Sequence, residues 1–213
     1  MTDKSVQIDN YITSHSTIED PVLVKLYRET YLKVLNPRMV SGSLQGKLLE
    51  FISCMIRPEY ILEIGTFTGY SAICLAKGLS ETGKLITIEI NDELIHFPIK
   101  YFKEAGVDLK IELLVGNAID IVPTLPYMFD LIFIDGDKKE YISYYNTVLN
   151  KLSNGGFIIA DNVLWNGKVV DTVKPSDQET LIIKEFNDMI HNDPRVENII
   201  LPVRDGINLI RKI

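Results

Sequence analysis

Two stretches decide the reading of this 213-residue chain: Leu131-Ile132-Phe133-Ile134-Asp135-Gly136-Asp137-Lys138 and Phe157-Ile158-Ile159-Ala160-Asp161-Asn162. Each is a short apolar run that stops abruptly at oxygen-bearing side chains. Runs of this kind suit strands buried on both faces of an open α/β sheet. In such a sheet the carboxyl ends of the strands open on a common crevice. Asp135, Asp161 and Asn162 are expected to meet there and to offer a hard cation three oxygen ligands. Lys138, three residues after the first aspartate, then stands beside that cation as a base. A dication lowers the pKa of a bound hydroxyl and depresses that of a neighbouring ammonium. Such a site turns a hydroxyl into an oxyanion.

Working outward, strands and helices alternate from Tyr60 onward. Strands are expected at Ile61–Ile64, Leu85–Ile90, Lys110–Val115, Asp130–Ile134 and Phe157–Ala160. Helices are expected at Tyr70–Lys77, Asp92–Ala105, Lys139–Leu152 and Gln178–His191, the third closed by Asn154-Gly155-Gly156 as a C-cap. A loop, Val163–Asp177, precedes the last helix. Val196–Pro202 and Ile207–Ile210 are two further strands joined only by Val203–Gly206, with an Asp205-Gly206 turn signal. A connection that short cannot be a parallel crossover, so this pair is antiparallel. The fold class is therefore α/β, a doubly wound, seven-stranded, mostly parallel sheet with one antiparallel strand. Residues 1–57 read as helical, with Leu23, Leu26, Tyr27 and Tyr31, then Leu44, Leu48, Leu49, Ile52 and Met55, at helical spacing, and Pro21 and Pro58 as punctuation. They are expected to form a lid or a dimer surface over a core at 58–213, all within one domain.

Net charge is −7 and pI about 5.0, so the surface as a whole repels nucleic acid and anionic membranes. No apolar run approaches the ~20 residues that span a bilayer. Met1-Thr2-Asp3-Lys4 lacks the basic-then-apolar pattern of a signal peptide, and a cytoplasmic location is expected. Cys54 and Cys74 read as two buried thiols of a reducing compartment, not a disulfide or a ligand pair. His15, His96 and His191 lack metal-ligand spacing and receive no role.

Glu63-Ile64-Gly65-Thr66-Phe67-Thr68-Gly69-Tyr70-Ser71 follows a strand and opens a helix. Gly65 and Gly69 allow a tight turn and a close approach of ligand to backbone. The dinucleotide fingerprint needs a glycine where Phe67 stands, which argues against a pyrophosphate cradle and a nicotinamide-dependent dehydrogenase. Glu89, at the end of the second strand, is placed to hydrogen-bond ribose hydroxyls. The same stretches also have plain structural readings. Asp135-Gly136 and Asp161-Asn162 can be turns, Asp137 a helix cap, Lys138 a solvated helix-start lysine and Trp165 a packing anchor. Tyr141, Tyr144 and Tyr145, at helical spacing, read as core, with Tyr144 open to a place in the crevice.

Glu63–Ser71 resembles motif I of class I S-adenosylmethionine-dependent methyltransferases. Ile134-Asp135-Gly136-Asp137-Lys138-Lys139-Glu140-Tyr141 is similar to the D-x-D-K-x-x-Y segment of cation-dependent O-methyltransferases of the caffeoyl-CoA type. Asp161-Asn162-Val163-Leu164-Trp165-Asn166-Gly167 resembles their D-N-x-L-W-N-G segment, and Pro202-Val203-Arg204-Asp205-Gly206-Ile207 their D-G-I turn. Catechol O-methyltransferase is a more distant relative. The resemblance runs in order from about Met39 to the C-terminus.

The resemblance implies roles for matching positions. Asp135, Asp161 and Asn162 hold a divalent cation, Mg²⁺ or alternatively Mn²⁺ or Ca²⁺, and Lys138 takes the hydroxyl proton. Glu63, Gly65, Thr66 and Ser71 line the methionine and sugar part of S-adenosylmethionine, with Ser41 at its carboxylate, Glu89 on its ribose, Ala118 beside its adenine and Asp137 near its amino group. Asp135 borders both ligands. Asn166, with Trp165, lies in the acceptor pocket. The implied acceptor is a small hydroxylated aromatic, catechol-like or hydroxycinnamoyl, and relatives are commonly homodimers. The N-terminal ~35 residues do not match the plant enzymes, which use that region for coenzyme A; this argues against a coenzyme A thioester. Two other readings remain at this stage: a tRNA hydroxyuridine O-methyltransferase, as in some bacterial relatives, and a non-catalytic nucleotide-binding module.

Overall fold

Residues with branched or aromatic side chains crowd every strand, and the sheet they form is covered on both faces. The computed structural model describes residues 4–213; the first three residues of the signal-peptide reading lie outside them. Helices α1 (Lys4–Ser14), α2 (Pro21–Lys33) and α3 (Ser43–Ile56) come first. Then β1 (Tyr60–Ile64), α4 (Tyr70–Ala76), β2 (Lys84–Glu89), α5 (His96–Glu104), β3 (Ile111–Val115), α6 (Ala118–Ile121), β4 (Phe129–Ile134), α7 (Tyr141–Leu149), β5 (Leu152–Asp161), α8 (Gln178–His191), β6 (Val196–Leu201) and β7 (Ile207–Lys212) follow.

The seven strands lie in the order β3-β2-β1-β4-β5-β7-β6. All neighbours from β3 to β5 are parallel, and β7 runs antiparallel to both β5 and β6. This is the architecture expected from the short Val203–Gly206 connection. Chain order reverses between β1 and β4, which is where open α/β sheets bind ligands.

Side chains alternate between two cores. Leu62, Ile64, Ile132 and Ile134 pack on one face with Tyr141, Tyr145, Val148, Ile183 and Phe186 of α7 and α8. Ile61, Leu131 and Phe133 pack on the other with Leu26 of α2, Leu49 of α3, Ile73 of α4 and Tyr101 of α5. Most of these are fully buried, each worth about 1.5–3 kcal/mol in transfer free energy. This double burial holds the strand ends rigidly enough to aim the polar residues that follow them.

Two local expectations need correction, and one short helix is new. Asn154-Gly155-Gly156 does not cap α7. The helix ends at Leu149, and the triplet forms an irregularity inside β5, where Phe129 pairs with Leu152 and Leu131 already with Phe157. Gly155, at φ +76°, supplies the kink. Next, α6, capped by the Asn117 side chain on the Ile119 amide, was hidden by its four-residue length. Finally, both cysteines are free, but only Cys74 is buried, and Cys54 is exposed on α3.

Candidate active site

β4 and β5 run in register through Ile134 and Ala160, so the next residues, Asp135 just past β4 and Asp161 at the last position of β5, stand at adjacent strand ends. Asp161 is 3% exposed. Its Oδ1 accepts the Asn162 amide at 2.8 Å, and its Oδ2 accepts Nε2 of Gln45 at 2.6 Å. Asn162 follows in the left-handed region, φ +57°, which turns the chain sharply at the crevice.

Lys138 stands on a single helical turn that Asp137 caps through the Lys139 amide (3.0 Å). Its ammonium donates to Asp135 Oδ1 (3.1 Å) and to the Tyr141 hydroxyl (2.5 Å), with the Gly136 carbonyl at 3.4 Å. The Tyr141 hydroxyl in turn donates to the Asp161 carbonyl at 2.9 Å. Tyr141 is fully buried, and burial pushes its phenol well above the ordinary value. One tyrosine thus pins the lysine to the backbone of the next strand. Burial also pushes the Asp135 carboxyl up to about 6; Lys138 opposes that rise and the charge of Asp161 adds to it. Asp135 is partly buried and Asp161 almost fully so, with Lys138 against the first and the charge of Arg204 within reach of it. The donor set, two carboxylates and one amide, is all oxygen and suits Mg²⁺, Mn²⁺ or Ca²⁺ rather than zinc. These residues fit a divalent cation.

The glycine turn after β1 lies alongside. Gly65 has φ +100°, and a Cβ there would stand 2.3 Å from the Asp135 carbonyl oxygen. Only glycine lets the two strand ends close together. Glu63 is fully buried; its oxygens accept from Ser71 Oγ and Thr87 Oγ1, both at 2.5 Å, and Thr87 meets Thr66 Oγ1 at 2.6 Å. Burial, outweighing these bonds, pushes Glu63 up to about 8. Glu89 holds the same turn from β2, accepting the Phe67 amide at 2.8 Å on Oε2 and the Asn91 amide at 2.9 Å on Oε1. Phe67 takes φ +48°, so the residue at the fingerprint's missing glycine still adopts left-handed geometry.

The remaining sequence-derived residues take these places. Ala118 is buried at the start of α6, just after Gly116, whose amide bonds the Glu89 carbonyl. Ser41 is buried between Val40 and α3. Asp137 is exposed and serves as a cap. Trp165 and Asn166 both take positive φ in the helical turn after β5, where Asp205 accepts the Asn166 amide. Asn166 is exposed; Trp165 is partly buried, and its indole N–H has no partner among the described residues. Sequence reasoning missed Gln45, Arg204 and Thr87 and placed Tyr141 only in the core. Thr87 had a visible signal, a lone hydroxyl in an apolar strand.

Comparison with known proteins bears on this geometry. A family model described as O-methyltransferase matches residues 13–213. The chain belongs to the O-methyltransferase family. The match starts well before Met39, so the family resemblance reaches further into the N-terminal helices than the motifs alone indicated. Caffeoyl-CoA O-methyltransferase 2 of Populus trichocarpa is 33% identical over 208 residues, covering 91% of this chain and 83% of that protein. The O-methyltransferase TomG of Streptomyces achromogenes, solved in complex with SAM, superposes with a TM-score of 0.90 at 31% identity, covering 100% of this chain and 99% of that one. The Bacillus cereus O-methyltransferase solved with SAH gives 0.90 at 29% identity over 97% of both chains. The chain is thus an O-methyltransferase of the caffeoyl-CoA type, and the dehydrogenase and non-catalytic readings fall away.

Proposed function

We propose that this O-methyltransferase uses S-adenosylmethionine and a divalent cation to methylate one hydroxyl of a small vicinal dihydroxy-aromatic acceptor, catechol-like or hydroxycinnamoyl. The observation that carries the reading is the pair Asp135 and Asp161 at adjacent strand ends with Lys138 held against the first. The SAM- and SAH-bound relatives support the choice of donor, and the name of the Populus relative supports the acceptor class.

S-adenosylmethionine, when bound, supplies a methyl group on a sulfonium, and the cation supplies Lewis acidity that lowers the pKa of an adjacent hydroxyl. The protein does the rest. Asp135, Asp161 and Asn162 would hold the cation, and three protein oxygens leave open positions on an ion that takes about six ligands. That suits an acceptor with two neighbouring oxygens. With a dication beside it, Lys138 would first release one ammonium proton to solvent, and its neutral Nζ would then take the hydroxyl proton. Tyr141 keeps that nitrogen in place, which matters because a misplaced base loses much of its rate advantage. Glu89 and Gly65 shape the turn that receives the nucleoside; Ser41, Thr66 and Ser71 border the methionine part, with Glu63 acting through its bond to Ser71. Ala118 flanks the adenine and Asp137 faces the amino group. Trp165 and Asn166 line the acceptor side. Among the described residues, the helical segment 4–57 serves as a lid or a homodimer surface, a role supported by the exposed Leu32, Leu35, Phe51 and Met55. The enzyme is assigned to the cytoplasm.

The test is transfer of labelled methyl from S-adenosylmethionine with Mg²⁺ to a panel of catechols, dihydroxycinnamates and single-hydroxyl phenols. Labelled catechols with unlabelled monophenols support the reading. Label on undermethylated tRNA instead of any catechol would replace the acceptor class.

A further inference from the structure

Asp161 is gripped from outside its own strand. Gln45, on the first turn of α3 and fully buried, donates from Nε2 to Asp161 Oδ2 at 2.6 Å. Oε1 of the same amide accepts from Nη1 of Arg204 at 2.8 Å, and that nitrogen also reaches the Val40 carbonyl at 3.2 Å. A guanidinium only donates, so the Gln45 atom facing it must be the oxygen. The orientation of the amide is thereby fixed, and its N–H must point at Asp161. Each Asp161 oxygen then receives one donor, Gln45 on Oδ2 and the Asn162 amide on Oδ1. Donors on both oxygens hold the carboxylate in one orientation and leave each oxygen a further lone pair.

Arg204 occupies an unusual place for this duty. It sits in the turn between β6 and β7 at φ +51°, a region that long side chains rarely adopt. Among the described residues it forms no ion pair with a carboxylate within 4.0 Å. Its hydrogen-bond partners are the Gln45 amide and the Val40 carbonyl, and its charge also reaches Asp135. Val40 directly precedes Ser41. One guanidinium therefore links three parts of the chain that are distant in sequence: the segment before α3, the end of β5 and the last turn.

We propose that Arg204 and Gln45 are positioning residues that orient Asp161 toward the divalent cation. The inference rests on the cation reading above. Outer partners of metal ligands commonly change affinity without touching the metal.

The test uses the full chain and Mn²⁺ alone, with free Mn²⁺ counted by electron paramagnetic resonance. S-adenosylmethionine affinity is taken by calorimetry and the thermal midpoint by circular dichroism. Gln45→Met is expected to weaken Mn²⁺ binding about 10- to 100-fold, and Arg204→Met about tenfold, the low end of that range. Arg204→Lys, still a donor-only cation, is expected to recover most of the loss. S-adenosylmethionine affinity is expected to hold. Unchanged Mn²⁺ affinity in both Met variants overturns the proposal. So does an equal loss of Mn²⁺ and S-adenosylmethionine affinity with a fallen midpoint, because that marks a simple brace. Should Gln45→Met fail to fold, Arg204→Met, at an exposed position, decides alone. A wild-type chain that binds no Mn²⁺ overturns the cation reading itself, a result distinct from variants that match a binding wild type.

Discussion

Replacing Glu63 by Gln is expected to remove a pH dependence that the wild-type fold carries. Glu63 is fully buried beneath the glycine turn, and burial lifts its carboxyl from the ordinary 4.5 to about 8. In the protonated state its O–H can donate to Thr87 Oγ1, whose own proton passes to Thr66 Oγ1 at 2.6 Å, so the network accommodates the extra proton. The folded chain therefore holds a proton that the unfolded chain has lost. The stabilisation is complete below about pH 4.5, declines as pH rises, and is gone above about pH 8. A linked proton changes stability by about 1.4 kcal/mol per pH unit inside such a window. Asp135 is raised only to about 6, so most of the change between pH 6 and pH 8 belongs to Glu63. Over it the wild type should lose about 2–3 kcal/mol in urea unfolding, measured without ligands. Glu63→Gln keeps a donor for Thr87 and an acceptor for Ser71 but has no proton to lose. Its stability should stay nearly flat across the same interval. Parallel wild-type and variant curves would refute the argument.

Three further outcomes follow from the site. Gly65→Ala places a Cβ 2.3 Å from the Asp135 carbonyl oxygen at φ +100°; a drop of about 3 kcal/mol or more in unfolding free energy is expected, and a wild-type midpoint would contradict it. Tyr141→Phe deletes the hydroxyl that meets Lys138 at 2.5 Å and the Asp161 carbonyl at 2.9 Å. It should cost about 1–3 kcal/mol of stability and lower kcat about 10- to 100-fold, less than removal of a general base; wild-type kcat would show that the lysine needs no such hold. Asp161→Ala should abolish cation-stimulated turnover while S-adenosylmethionine affinity, measured by calorimetry, holds; equal loss of both would break the division of labour between β5 and the glycine turn.

Much of the fold was legible because its signals are local. An apolar run ending in Asp135 or Asp161 marks a doubly covered strand wherever it folds, and a four-residue connection at Val203–Gly206 permits only an antiparallel pair. The glycine turn was legible for the same reason, since Gly65 and Gly69 do their work within a few residues. Asn154-Gly155-Gly156 misled because a helix end and a strand irregularity use the same glycine chemistry; the choice is made by pairing with β4, which is non-local. Gln45, Arg204 and the hydroxyl of Tyr141 escaped for a related reason. Gln45 lies 116 residues from Asp161, and nothing near it in the chain announces a carboxylate. Tyr141 presents an aromatic body to the core and a polar tip to the site, and helical spacing reports only the body.

The central claim is that Asp135, Asp161 and Asn162 hold a cation on which O-methylation depends. Its most direct measurement is methyl transfer to a catechol by chelator-stripped protein, with and without Mg²⁺ or Mn²⁺ added back. The account predicts no transfer from the stripped protein and saturable recovery on addition of either ion. Full turnover in excess chelator would contradict it.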